Sequence, residues 1–310
     1  MKGFKNNKTV SLKKTNKKNK NRNIFLALSV IPTFALFLFF LVYPLIKGFS
    51  MSLYNWSGLS KSPEFIGLKN FETLFQDQKF WQALKNTLII MLTFPAITMI
   101  VALLLAVLLT QGKLKEKNFY RLVFFFPNIL SMVVIGVLFT YIYDPSIGIL
   151  NSFLSKIGLD SIAHAWLGDP KTVLIAIVLA MVWQAVGYYM VIYMAGLDSV
   201  SPELYEVADI EGASFFEKFR YVTIPMLWEI VRVTFAFYIT GVFNLSFIFV
   251  TVMTKGGPDG NSEVLLTYMY KQAFTNSNYG YAMAIGVVVF VIALGLALMM
   301  NKISRKKETV

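Results

Sequence analysis

The chain has 310 residues, of which 56% are hydrophobic and only 15% are charged. Soluble domains are about one-quarter charged, and a soluble fold of this length could not bury so many apolar side chains in one core. The composition therefore predicts a membrane protein. The chain has no cysteine and a single histidine, His164, which excludes disulfides, zinc–thiolate sites, thiol catalysis and any site built from several histidines.

The net charge of +12 is concentrated at the two ends of the chain. Residues 1–23 hold nine of the 29 Lys and Arg residues and no acid, and residues 302–307 hold four more. Basic segments beside apolar ones are typical of the cytoplasmic flanks of membrane helices, where they meet anionic lipid heads. We therefore interpret residues 1–23 and 302–310 as basic cytoplasmic tails, with membrane lipid and not nucleic acid as their partner.

Six stretches are long and apolar enough to cross a bilayer, for which a helix needs about 20 residues. None shows the alternating pattern of a membrane barrel strand. The sequence therefore predicts an all-α membrane protein whose six transmembrane helices occupy residues 24–301, with both termini in the cytoplasm. The six predicted spans are residues 24–46, 88–110, 122–143, 172–197, 226–253 and 281–300.

The loop between the fourth and fifth spans, residues 201–225, is predicted to form two short helices on the cytoplasmic side. Gly212 is expected to end the first helix. Ser214, with Glu217 three residues later, is a capping-box pattern that begins the second. Pro225 would then begin the fifth span. The sequence thus predicts a helix–Gly–helix loop.

The surface of this loop favours a protein partner over lipid. An amphipathic helix that lies on a membrane normally presents Lys and Arg to the lipid heads, whereas the first helix here presents acids beside an apolar ridge. Such a ridge fits a groove on another protein. A connector that lies at the lipid interface is the alternative. The acids are Glu203, Glu206, Asp209 and Glu211.

The same stretch resembles the EAA motif of binding-protein-dependent ABC importer permeases. That motif has Glu-Ala-Ala, then Gly, then Ile-x-Leu-Pro; here Glu206-Val207-Ala208 is followed by Gly212 and by Val222-Thr223-Ile224-Pro225. The resemblance implies that this loop couples the permease to a nucleotide-binding subunit. It assigns that role to Glu206, Ala208, Gly212, Ala213, Phe215, Phe219 and Pro225.

Other stretches, in the same order and spacing, resemble the carbohydrate branch of this family across most of residues 24–300. The resemblance implies a permease for a sugar, expected to be a di- or oligosaccharide, in the bacterial plasma membrane. It also implies a second homologous permease, two ABC ATPase subunits and an extracytoplasmic solute-binding protein as partners. The matching stretches are FIGLKNF at 65–71, DPSIGILN at 144–151, TKGGP at 254–258 and YGYA at 279–282.

The chain is expected to be a transport subunit and not an enzyme. It lacks the G-x-x-x-x-G-K-[ST] phosphate loop, so a partner ATPase would use ATP and Mg, and we expect this chain to bind no cofactor or metal. A secondary carrier would place ionisable groups in mid-membrane, and the span interiors hold almost none. The alternatives are a permease for another solute, such as glycerol phosphate, or a non-ABC carrier or scaffold.

Neutral polar side chains in the fourth and fifth spans are the candidates for contact with a sugar, because a polar group in a membrane is costly without a partner. The fifth span resembles the substrate-contacting helix of sugar permeases. Packing against the second permease is the alternative for these side chains. His164, in a predicted external loop, is expected to be simply exposed. The pathway candidates are Gln184, Tyr188, Thr240, Asn244 and Ser246.

Overall fold

The computed structural model describes residues 25, 27–58, 62–112 and 114–305, so the predicted tail 1–23 and residues 306–310 lie outside the described residues. Helices make up most of the described chain. In chain order they are α1 (Ala27–Met51), α2 (Lys69–Gln76), α3 (Gln78–Gln111), α4 (Lys117–Ile129), α5 (Met132–Ile142), α6 (Ile149–Lys156), α7 (Val173–Asp198), α8 (Pro202–Ile210), α9 (Phe215–Met253), α10 (Leu265–Tyr270) and α11 (Tyr279–Arg305).

Within the described residues, five helices are each long and apolar enough to cross a membrane: α1, α3, α7, α9 and α11. Helices α4 and α5 are long and apolar enough to cross a membrane only when they are taken together, and the chain bends by 101° at the break between them. The prediction of a single helix over residues 122–143 is therefore wrong, because this stretch forms two helices that fit either a broken span or a re-entrant loop. Pro127 removes a backbone donor from the end of α4, and Ser131 is of a residue type that begins helices.

The core of the chain lies where α3, α7 and α9 pack together. Helix α7 is the most enclosed of the five candidate spans. In its most apolar 18-residue stretch, 61% of the residues are buried inside the chain, against 0% for α1. A cluster of rings joins the three helices: Tyr238 lies 4.6 Å from Phe94 and 4.4 Å from Tyr189, measured between ring centroids. The apolar surface of α1 is left to lipid or to a neighbouring subunit.

A small antiparallel ladder adds to the predicted all-helical fold between α1 and α2. Its strands are β1 (Tyr54–Asn55) and β2 (Glu64–Phe65). Asn70, at the start of α2, holds the chain between the end of α1 and β1 in place. Its side-chain amide donates to the carbonyls of Ser52 and Tyr54 at 2.8 and 3.0 Å. The ladder is too short to change the fold class.

The segment between α5 and α7 is held by hydrogen bonds around His164. The imidazole Nδ1 lies 2.7 Å from the carbonyl oxygen of Ile162, and Nε2 lies 3.0 Å from the hydroxyl of Thr172. The ring also packs against Trp166, with 4.1 Å between the centroids. His164 is therefore half-buried, and the expectation of a simply exposed side chain is wrong, because the loop folds back on itself.

Candidate functional site

Residues 201–225 form two helices on either side of Gly212. Helix α8 ends at Ile210, and Gly212 has a φ of +77°, in the left-handed region that favours glycine. The backbone N–H of Ala213 donates to the carbonyl of Ala208 at 2.9 Å, and that of Gly212 to Asp209 at 3.1 Å. These two bonds satisfy the last carbonyls of α8 and fix the direction in which the chain leaves it.

Helix α9 begins with the predicted capping box. The hydroxyl of Ser214 accepts from the backbone N–H of Glu217 at 3.3 Å, and the Glu217 carboxylate accepts from the N–H of Ser214 at 2.7 Å. We expected this helix to end before Pro225. Instead it continues through a π turn at Phe219–Thr223 and is 39 residues long in all. The wider turn accommodates a residue that has no N–H. The second loop helix and the fifth span are thus one rod.

Two side-chain contacts fix α8 against the base of α9. The ammonium of Lys218 lies 2.6 Å from the carboxylate of Asp209. The hydroxyl of Tyr205 lies 3.1 Å from that of Thr223, which is fully buried. Because both contacts cross the Gly212 turn, α8 and the start of α9 are held as one unit.

The outer surface of this unit is apolar and open. Ile210, which sequence reasoning did not single out, is the most exposed of its large apolar residues at 86%, although its i, i+3 spacing from Val207 could have indicated it. Leu204, Val207, Phe215 and Phe216 are also exposed. Of the predicted coupling residues, Glu206, Gly212, Phe215 and Pro225 are exposed, and Ala208, Ala213 and Phe219 are half-buried.

The five predicted pathway residues separate into two groups. Tyr188 on α7, and Thr240 and Asn244 on α9, are exposed. Gln184 and Ser246 are buried within the chain, and the Ser246 hydroxyl donates to the carbonyl of Phe243 on its own helix at 3.0 Å. The spacing of Thr240 and Asn244 puts them on one side of α9, so this helix presents a neutral polar face.

Hydroxyl pairs that sequence reasoning missed connect α9 to its neighbours. The Tyr238 hydroxyl donates to Thr98 on α3 at 3.3 Å, and the hydroxyls of Tyr193 on α7 and Thr234 on α9 lie 3.0 Å apart. Only the packed arrangement brings these residues together, since more than 40 positions separate the members of each pair. They bind α9 to the core on the side away from its exposed face.

At the other end of the bundle, Asp77 joins three helices. Its carboxylate accepts from the Lys79 backbone N–H at 2.9 Å, from the Tyr281 hydroxyl at 2.6 Å and from the Tyr268 hydroxyl. Desolvation raises the pKa of Asp77, but these hydrogen bonds together outweigh it and hold the pKa below its usual value. Asp77 thereby fixes α3, α10 and α11 to one another.

A polar cavity of about 520 Å³ lies beside this junction. The ammonium of Lys271 pairs with the carboxylate of Glu263 and donates to the Lys255 carbonyl at 2.8 Å. In the part of the chain that the structure describes, no group of three or more His, Cys, Asp or Glu side chains could hold a metal ion. The cavity is lined by Lys79, Gln82, Asp259, Gly260, Glu263, Tyr268, Lys271, Gln272, Thr275 and Asn276.

Residues 104–308 match the family described as "Binding-protein-dependent transport system inner membrane component". The chain belongs to this family. The permease is 40% identical over 268 residues to the "Probable ABC transporter permease protein YurN" of Bacillus subtilis. This match covers 86% of the permease and 91% of that protein. It is 32% identical over 292 residues to the "Diacetylchitobiose uptake system permease protein NgcF" of Streptomyces coelicolor. This match covers 91% of the permease and 82% of that protein.

The permease also resembles a solved transporter. A bacterial alginate ABC transporter "in complex with alginate pentasaccharide-bound periplasmic protein" contains a chain with a TM-score of 0.78 and 26% sequence identity. The match covers 94% of the permease and 98% of that chain. These similarities confirm the resemblance to sugar ABC permeases that the sequence motifs indicated.

Proposed function

We propose that the permease forms half of the translocation pathway of an ATP-driven importer for a di- or oligosaccharide. A second homologous permease supplies the other half. Two ABC ATPase subunits, which use ATP and Mg, bind on the cytoplasmic side, one of them at residues 201–225 of this chain, and an extracytoplasmic binding protein delivers the sugar. The complex lies in a bacterial plasma membrane with both termini of this chain in the cytoplasm.

The observation that carries this proposal is the connection between the exposed loop surface and the polar face of α9. The apolar ridge of α8 and the start of α9 fits a groove on an ATPase subunit. Because Phe215–Met253 is one helix, a displacement of the ridge also moves Thr240 and Asn244. Movement of a rigid helix against its neighbours is a known form of switching between two states.

The polar face itself favours a neutral, hydroxyl-rich solute. Tyr188, Thr240 and Asn244 offer hydrogen-bonding groups without charge. A phosphate-bearing solute such as glycerol phosphate would call for Arg or Lys at this face. The printed names of the relatives also support a saccharide, since one is named for diacetylchitobiose and the alginate transporter was solved with a bound pentasaccharide on its periplasmic protein.

Reconstitution of the full importer in liposomes tests the proposal. Uptake of labelled maltose, lactose, N,N′-diacetylchitobiose, maltotriose and glycerol 3-phosphate is measured with and without ATP. We expect uptake of at least one saccharide that requires both ATP and the ATPase subunits. Uptake that persists without ATP, uptake of glycerol 3-phosphate alone, or no uptake of any saccharide would overturn the proposal.

A matched pair of variants tests the coupling loop in the same vesicles. Glu206 and Glu72 are both exposed acids, but only Glu206 lies in the loop. We expect Glu206→Ala to lower sugar uptake per ATP hydrolysed and Glu72→Ala to leave it unchanged. Equal behaviour of the two variants would remove the coupling role from Glu206.

A further inference from the structure

Five aromatic side chains form a continuous line that ends on α9. Successive ring centroids are 5.6 Å apart for Trp56 and Tyr279, 5.6 Å for Tyr279 and Phe274, 4.7 Å for Phe274 and Tyr270, and 5.9 Å for Tyr270 and Phe247. We name this line the aromatic track. It begins in the segment after α1, follows the end of α10 and its π turn, and reaches the fifth span.

The inner end of the aromatic track lies beside the neutral polar face. Phe247 follows Asn244 by three residues and Thr240 by seven, so the three side chains project from one side of α9. Phe247 is nearer than Asn244 to the end of the helix at Met253. The track therefore leads from the loops at that end of the bundle to the polar face.

The rings of the aromatic track are accessible and held in place. Phe274 is 61% exposed and Tyr270 is 47% exposed, and the other three are half-buried. Gly58, with a φ of +86°, lies so close to the Tyr279 ring that a Cβ at this position would collide with it. Two rings of the line are thus exposed, and the Tyr279 ring has no room to move toward Gly58.

We propose that the aromatic track is a binding path along which a saccharide passes between the delivery side and the polar face of α9. The face of an aromatic ring is electronegative, so it attracts the C–H groups on the flat side of a pyranose ring. Apolar contact is non-directional, and one sugar ring can move from one aromatic ring to the next without losing a fixed hydrogen bond. This inference rests on the proposed function.

Two other roles also place exposed aromatic side chains on a membrane protein. Tyr and Trp are common where membrane helices meet water, and exposed apolar side chains also form contacts between subunits. Loss of the ring in either of these roles would lower membrane insertion or assembly of the complex, and not raise the sugar concentration at half-maximal uptake. Stacking of a sugar requires the ring itself. The comparison of leucine with aromatic replacements therefore separates the aromatic track from these roles.

The test uses the full importer in liposomes, with labelled maltose, lactose, maltotriose and N,N′-diacetylchitobiose as probes. For the double variant Tyr270→Leu/Phe274→Leu we expect the sugar concentration at half-maximal uptake to rise roughly three- to tenfold. The maximal rate and the sugar-independent ATPase activity should not change. Phe274→Trp should transport like the wild type, because it keeps a ring face.

Phe153→Leu is the matched control, because Phe153 is 57% exposed and lies on α6 outside the aromatic track. It should transport like the wild type. The single variants Tyr270→Leu and Phe274→Leu are assayed separately, so the comparison does not depend on assembly of the double variant. If the wild type takes up sugar and the leucine variants match it, the track is overturned and the proposed function stands. If the wild type takes up none of the four saccharides, both fall.

Discussion

The hydroxyl of Tyr205 lies 3.1 Å from the hydroxyl of Thr223, and this contact joins α8 to the π turn at the base of α9. Thr223 is fully buried, whereas the carboxylate of the nearby Lys218–Asp209 pair is 60% exposed. Exposed ion pairs contribute little, because water and salt screen them. We infer that Tyr205 and Thr223 form the tighter of the two links between the loop and the spanning helix.

Tyr205→Phe should weaken coupling without preventing membrane insertion. The substitution keeps the ring and removes one hydrogen bond, which contributes about 1 kcal/mol in typical cases. We expect the reconstituted importer to hydrolyse ATP at a normal basal rate but to take up roughly two to five times less sugar per ATP. Tyr221→Phe is the control, since Tyr221 is 71% exposed. The link has no role in coupling if both variants transport like the wild type.

Substitutions at Gly212 should follow backbone conformation and not side-chain size. Nothing lies within 4 Å of a Cβ built at this position, but its φ of +77° strains most other residues by about 1 kcal/mol or more. Gly212→Ala should therefore reduce ATP-driven uptake more than Gly212→Asn, because asparagine tolerates left-handed conformations. Gly295→Ala, in a regular helix with open space around it, should be neutral. A larger defect in the asparagine variant would contradict this account.

The loop could be predicted closely from the sequence because its signals are local. The end of the first helix at Gly212 and the capping box at Ser214 depend only on neighbouring residues, and the structure has both. The continuation of the helix past Pro225 was missed. It depends on a π turn, and no simple residue pattern indicates one.

The parts that sequence reasoning missed depend on contacts between distant segments. The 101° break between α4 and α5 lies in an apolar stretch that reads as one span. The burial of Gln184 and Ser246, and the exposure of Thr240 and Asn244, depend on how α9 is rotated against α7. Hydropathy finds a membrane helix but does not say which of its sides faces the rest of the chain, since apolar residues occur on all of its sides.

Asn244 and Ser246 should differ in their effect on transport, although they are two residues apart. Asn244 is exposed on the polar face, whereas Ser246 is buried and bonds to its own helix. We expect Asn244→Ala to raise the sugar concentration at half-maximal uptake about three- to tenfold, which corresponds to one lost hydrogen bond. Ser246→Ala should change it less than about twofold, because the Ser246 hydroxyl bonds only within its own helix. A stronger effect at Ser246 would move the pathway to another side of α9.

Asp77→Asn should lower thermal stability at neutral pH. The hydrogen bonds that Asp77 accepts hold its folded-state pKa below the unfolded value of about 3.9. Their contribution is therefore present above that value and is lost as the pH falls through the folded-state pKa. The melting temperature of the detergent-solubilised permease should be lower for the variant than for the wild type at pH 7. This difference should persist at pH 5 and become smaller only below about pH 4. Asp160→Asn, at an exposed acid, is the control and should melt at the same temperature as the wild type. A difference for Asp77→Asn that disappears above pH 5 would exclude the Asp77 carboxylate as its cause.

Gly187→Ala should disrupt the bundle more than any other glycine substitution considered above. Gly187 lies where α7 crosses α4, and an added Cβ would collide with the backbone of Phe124 and Phe125. Backbone atoms cannot turn aside as a flexible side chain can, so the two helices must separate, at a cost of about 1–3 kcal/mol. We expect a lower melting temperature and a lower yield of assembled complex, with Gly295→Ala as the control. The contact lies shortly before the break between α4 and α5. A variant that melts like the wild type would therefore show that α4 can move away from α7 at this crossing without loss of stability.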